Sequence, residues 1–327
     1  MRTATVAIVL CAGLLLTACS APLVRPAGPA VRAPELTPDA LVARDGTRLP
    51  LSRWLPDGRV RANVIALHSF GDYRKSFEEL GGWLAARGIA VYAYDQRGFG
   101  AAPHPGIWPG EAALVDDLAD AIAALRAGPG GDDAPLFLLG ESMGGGVAMI
   151  QAARAPAGID GLILAEPAVR EGIYFRYFWD AALWTAARMA PAASVSVSRT
   201  WHRDLSPAAQ ARLGDDPLVV REVRADTYDG LIDLTDLATA AAERIATRTL
   251  LLFGRGTGIV KKRSLCYAFE DLDGDVIGIQ YPGAPHLLLH ARDWQRTALD
   301  IEGWIGRQTP PSLAAGGGAV AATTACG

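Results

Sequence analysis

Apolar runs bounded by turn residues alternate along most of the chain with longer stretches of helical periodicity. The runs Val64–His68, Ala90–Asp95, Pro135–Leu139, Gly161–Ala165, Thr249–Phe253 and Val276–Tyr281 are short and apolar almost throughout, the pattern of strands buried on both faces. Between them the periodicity predicts helices near Phe77–Arg87, Glu111–Arg126, Gly144–Ala155, Lys262–Glu270 and Leu287–Ile305. Strand and helix in this alternation predict a mostly parallel sheet flanked by helices, an α/β fold. The regularity breaks once. From Ala168 to Thr247 helical patterning continues without a buried strand, which predicts an insertion lying over one end of the sheet.

The two ends of the chain follow other rules. Arg2 precedes an apolar stretch from Ala4 to Ala18 that is too short to span a bilayer, since a crossing helix needs about 20 residues. Its composition is that of the apolar region of a secretory signal. The quartet Leu16-Thr17-Ala18-Cys19 resembles the bacterial lipobox, which implies lipidation of Cys19, a partner membrane and a place in the cell envelope, on the outer membrane in preference to the inner. A signal peptide cut near Ala21, with Cys19 discarded, is the alternative. The expected organisation is a signal at 1–18, a Pro/Ala-rich tether at 19–38, a core at 39–168 and 248–307, a helical cap at 169–247, and a disordered tail at 308–327.

Composition narrows the function classes. Half of the 327 residues are hydrophobic and 20% are charged, which excludes wholesale disorder. The net charge is −4 with no dense Lys/Arg run, so nucleic acid is not an expected partner. Four cysteines, at 11, 19, 266 and 326, show no metal-ligand spacing and no disulfide framework.

The chemistry begins at Gly140-Glu141-Ser142-Met143-Gly144, which follows an apolar strand and opens a helix. With 36 glycines and 11 serines in the chain, fewer than one chance match to G-x-S-x-G is expected. In such an elbow the serine occupies a sharp turn, and only glycines on either side avoid the neighbouring backbone. A glycine-rich phosphate loop is the competing account, but no Walker lysine is present and the motif does not follow the first strand.

Four segments in order, His68-Ser69-Phe70-Gly71-Asp72, Asp95-Gln96-Arg97-Gly98-Phe99-Gly100, Gly140 to Gly144, and Gly283-Ala284-Pro285-His286, make the chain resemble the α/β-hydrolases. The likeness is to the monoacylglycerol lipase and lysophospholipase branch, also called serine aminopeptidase S33, and spans about residues 38–306. It implies an α/β-hydrolase fold with a helical cap inserted after the sixth strand. It also implies Ser142 as nucleophile, an oxyanion hole from the backbone N–H groups of Met143 and Phe70, and no cofactor. Among the five histidines, His68 and His104 precede the serine and His202 falls in the insertion. His286 follows the last strand, where the base belongs, and His290 lies one helical turn beyond.

One position departs from the family pattern. The acid is expected after the strand Thr249–Phe253, yet Gly254-Arg255-Gly256-Thr257-Gly258-Ile259-Val260-Lys261 places Thr257 there. A threonine carries no charge to stabilise an imidazolium. Glu166, at the end of Gly161–Ala165, is the candidate replacement; a surface carboxylate paired with Arg170 is the competing account, and Asp233 or Asp236 are further candidates. The insertion carries Ile173-Tyr174-Phe175-Arg176-Tyr177-Phe178-Trp179, Trp184 and Met189, which line a pocket, face lipid or pack together. The expectation is a serine hydrolase of lipid-like monoacyl esters, with an aminopeptidase or amidase, or a non-catalytic binding protein, as alternatives. The ester and the oligomeric state have no signature in the chain.

Overall fold

The computed structural model describes residues 21–128, 133–170, 176–197, 202–254, 264–266, 272 and 275–314. The signal segment with Cys19, Thr257, Ile173, Tyr174 and Phe175 of the insertion and the chain beyond 314 lie outside them. So do the side chains of 176–180.

Among the described residues the sheet has nine strands: β1 (Glu35–Leu36), β2 (Ala40–Val42), β3 (Arg48–Trp54), β4 (Ala62–Leu67), β5 (Ile89–Tyr94), β6 (Leu136–Glu141), β7 (Gly161–Ala165), β10 (Thr249–Gly254) and β11 (Val276–Tyr281). Their order is β1-β2-β3-β5-β4-β6-β7-β10-β11. From β5 to β11 all pairings are parallel. β4, β6, β7 and β10 are buried at every position, so each reads as an uninterrupted apolar run. The first three strands are antiparallel and were not foreseen, because β1 and β2 are two and three residues long and β3 mixes Leu with Pro, Ser and Arg. Counted from β1, the insertion therefore follows the seventh strand.

The helices α1 (Glu78–Ala85), α2 (Glu111–Ala127), α3 (Met143–Arg154) and, late in the chain, α7 (Trp294–Ile305) cover the sheet. Two apolar cores form on the faces of the sheet, and a third, smaller one joins Tyr73 and Leu287 to the insertion. Leu138, Leu162 and Leu251 face α2 and α3, while Phe137, Ile163 and Leu252 face α1 and α7, the alternation expected of a sheet with two buried faces.

The helix expected over Leu287–Ile305 is two pieces, a 3₁₀ turn at Leu288–His290 and α7. The break has a cause in hydrogen bonding: the carbonyl of His290 accepts from Ser206 N–H at 2.8 Å, and Arg292 N–H donates to Asp204 at 3.0 Å, so this backbone is satisfied by the insertion instead of by a helix. The insertion itself contains α4 (Arg176–Met189), α5 (Pro207–Asp215), α6 (Ala225–Ala241) and a strand pair, β8 (Ser194–Ser196) with β9 (Glu222–Arg224), so it is not wholly helical. It lies over the carboxyl end of β4. Val220 N–H donates to Gly71, Arg212 pairs with Asp72 at 2.9 Å, and Tyr228 packs against Phe70.

The described parts of both flanking segments, 21–38 and 308–314, dock where free chain was expected. Leu23 N–H donates to Asp226 Oδ2, Arg25 N–H to Trp108, and Val31 N–H to Arg44. Pro311–Ala314 forms a short helix, α8, held by Ser312 N–H on buried Asp300. Prolines lower the ordering entropy of such straps, so a few hydrogen bonds suffice. Cys266 is disulfide-bonded, which the cysteine spacing did not suggest.

Candidate active site

β6 delivers Glu141 and α3 begins at Met143, so Ser142 is the single residue on which the chain reverses. Its φ of 52° and ψ of −116° are a sparsely populated conformation that costs about 1–3 kcal/mol and persists only when its surroundings impose it. They do. Ser142 N–H donates to Ala165 at 3.0 Å, and its carbonyl accepts from Gly146 and Ala168. The motif glycines are dictated by contact: a Cβ on Gly144 would stand 2.2 Å from the carbonyl oxygen of Leu67, and one on Gly140 would stand 2.4 Å from that of Gly144.

The loop after β11 turns at Gly283, φ 81°, and carries His286 back over the sheet edge. His286 Nε2 lies 3.0 Å from Ser142 Oγ, and the histidine is 3% exposed. The hydroxyl donates and Nε2 accepts when the imidazole proton is on Nδ1. On that side stands Glu166. It too has a positive φ, 45°, with its N–H on Leu252 and Oε1 accepting from Gly254 N–H at 2.6 Å. Its Oε2, which accepts no hydrogen bond among the described residues, is 3.7 Å from His286 Nδ1. Arg170, the competing partner, instead stands 3.9 Å from Asp236 and places its N–H on Thr239. The structure thus brings Ser142, His286 and Glu166 into one line. Thr257 lies outside the described residues.

A family model described as serine aminopeptidase, S33, matches residues 58–293, more than two-thirds of the chain. The chain belongs to this family. The monoacylglycerol lipase of Mycolicibacterium smegmatis is 23% identical over 267 residues, covering 80% of this chain and 93% of that one. The solved monoacylglycerol lipase of Paleococcus ferrophilus superposes with a TM-score of 0.66 at 25% identity, covering 79% of this chain and 98% of its own. A soluble variant of monoglyceride lipase from Saccharomyces cerevisiae, solved with a substrate analogue, gives 0.69 at 20% identity over 88% and 99% of the two chains. This member of the S33 family is a hydrolase of the lipase and esterase type with the α/β-hydrolase fold.

The remaining candidates occupy distinct places in this S33 hydrolase. Met143 is fully buried, and its N–H belongs to the first turn of α3, where a helix supplies no partner of its own. Phe70 follows β4 on a turn closed by Asp72 N–H on Ser69 and by Gly71 at φ 75°, its ring held edge-on by Phe99 and Tyr228. His68 is structural: Nδ1 faces the Ser69 carbonyl at 2.9 Å, Nε2 accepts from Gln96 N–H at 2.9 Å, and burial pushes its pKa down, so it stays neutral and fixes the turn. His104 sits on an exposed turn, and the side chain of His202 is outside the described residues. His290 is in the core, 3.0 Å from Glu141. Asp233 and Asp236 belong to an acidic group on α6, with Asp233 exposed to solvent. Sequence reasoning passed over Glu141. The signal was a carboxylate ending an otherwise apolar strand beside the nucleophile.

Proposed function

We propose that this S33 hydrolase cleaves carboxylic esters of lipid-like monoacyl substrates through an acyl-enzyme on Ser142. The observation that carries the reading is the 3.0 Å approach of His286 Nε2 to the hydroxyl of a serine held at a strained turn. As Oγ attacks the ester carbonyl, its proton passes to Nε2 and the oxyanion turns toward the N–H groups of Met143 and Phe70. The imidazolium returns the proton to the leaving alkoxide. Water, deprotonated by the same nitrogen, then releases the acid and restores Ser142. Glu166 orients Nδ1 and supplies the charge that steadies the imidazolium. The monoacylglycerol lipases similar to this chain and the aromatic loading of the insertion support an acyl chain as the recognised group.

A membrane location follows from Cys19 as a lipid anchor. It is supported by the lipobox-like quartet Leu16 to Cys19, which ends an apolar stretch too short to span a bilayer. Retention in a detergent phase, lost in Cys19→Ser, checks the anchor. A fluorophosphonate probe tests the chemistry: it should label wild type and fail on Ser142→Ala and His286→Ala. Absence of labelling in wild type makes the protein a non-catalytic binder. Faster release from aminoacyl anilides than from monoacyl esters makes it an aminopeptidase.

A further inference from the structure

Glu141 precedes the nucleophile and is completely buried. Its carboxylate gathers three segments far apart in the chain. Ser69 Oγ–H donates to Oε2 at 3.0 Å, across 72 positions. Leu289 N–H donates to Oε1 at 3.0 Å, across 148 positions. His290 Nε2 stands 3.0 Å from Oε2, its ring tilted against Phe77. Ser69 immediately precedes Phe70, and Leu289 is three residues beyond His286, so one carboxylate joins the oxyanion turn, the nucleophile elbow and the loop of the base.

A buried carboxylate with these partners is a costly choice for a strand end, where an apolar residue would stabilise as well. It does what an apolar side chain cannot, by fixing direction. Two charge-assisted hydrogen bonds to different loops determine their positions relative to Ser142 far more sharply than packing does.

We propose that Glu141 is a positioning residue that sets the approach of His286 Nε2 to Ser142 Oγ and of the Phe70 N–H to the developing oxyanion. The inference rests on the reading of Ser142 and His286 as nucleophile and base. Glu141→Gln keeps the shape but removes the charge and one acceptor: its carbonyl oxygen can still accept from Leu289 N–H, while its amide can hold Ser69 only by donating to the hydroxyl, a neutral bond of reversed direction that also turns an N–H toward His290.

The experiment measures kcat and KM on a monoacyl ester, the rate of fluorophosphonate labelling and the melting temperature for wild type, Glu141→Gln and Ser69→Ala. Glu141→Gln should lower kcat and the labelling rate ~10- to 100-fold, the scale of a misplacement of about 1 Å, with KM within about twofold. Ser69→Ala, which deletes one hydroxyl, should show a smaller loss in the same sense, and the double variant should lose less than the product of the two. If Glu141→Gln folds and turns over within about threefold of wild type, or if its losses merely follow a fall in melting temperature, the proposal is overturned. If it does not fold, Ser69→Ala decides alone, and an unchanged kcat overturns the proposal. Failure of wild type to label would instead overturn the reading of Ser142, a result separate from these.

Discussion

Glu166→Gln separates a triad from a dyad. Gln retains a carbonyl oxygen for the Gly254 N–H, which Oε1 now accepts at 2.6 Å, and so leaves the β7 and β10 ends joined. What it removes is charge beside Nδ1. With both side chains buried, a unit charge pair at 3.7 Å and an effective dielectric constant of about 20 interacts by about 4.5 kcal/mol. That interaction exists only while the imidazole carries the serine proton, so most of it acts on the transition state. At about 1.4 kcal/mol per power of ten, kcat should fall about 10³-fold, close to the loss of about 10⁴ on neutralising the acid of the serine-protease triad. The separation of 3.7 Å exceeds a hydrogen bond, and such contacts tighten when substrate closes the site. The assay is steady-state hydrolysis of a monoacyl ester with active-site titration, alongside urea unfolding to show an intact fold. Thr257→Asp in the same background should recover part of the lost rate, because it restores an acid at the family's position. A Glu166→Gln kcat within about threefold of wild type would refute the argument and leave Ser142 and His286 as a dyad.

Two further outcomes follow from packing and charge. Gly144→Ala places a methyl 2.2 Å from the Leu67 carbonyl and should cost about 3 kcal/mol or more in denaturant unfolding; a loss below about 1 kcal/mol would show that the elbow can shift. Asp233 is pushed up to about 6, first by desolvation and then by Asp229, Glu111 and Asp236, against the pull of Arg188. The folded protein thus holds this proton more tightly than the unfolded chain, and ionising it costs stability as pH rises from about 4 to 6. Because the group is exposed, screening leaves well under 1 kcal/mol of that cost. Asp233→Asn should therefore melt slightly higher than wild type at pH 7.5 and the same at pH 4; a lower melting point at pH 7.5 contradicts the sign.

The insertion ties together the two loops that flank Ser142. It bonds to the turn after β4 through Val220 and Arg212, and to the loop of the base through Ser206 and Asp204. Trp184 and Leu237, both about half exposed, lie on its helices α4 and α6. The same element that covers the carboxyl end of the sheet thus joins both loops that flank Ser142.

Strands β4, β5, β6, β7, β10 and β11 were legible because helices cover both faces of the sheet, so burial leaves its mark on consecutive residues. As candidates, Ser142 was legible for a local reason, the turn that demands glycine at 140 and 144, and His286 from its order in the chain, after the last strand. The strands β1 to β3 were not, since β1 and β2 are two and three residues long and β3 breaks its apolar positions with Pro, Ser and Arg. Nor was the break at 291–293, because whether a segment continues as helix depends on which distant N–H reaches its carbonyls. The candidate acid was legible only as a substitution, Thr257 at the position of the expected carboxylate with Glu166 at a neighbouring strand end. That Glu166 faces His286 across 120 positions while Arg170 turns to Asp236, and that Glu141 gathers Ser69 and Leu289, are relations between chain segments. Local propensity and periodicity act over a few residues. Only packing the sheet fixes which strand ends become neighbours, and with them the distances on which the chemistry depends.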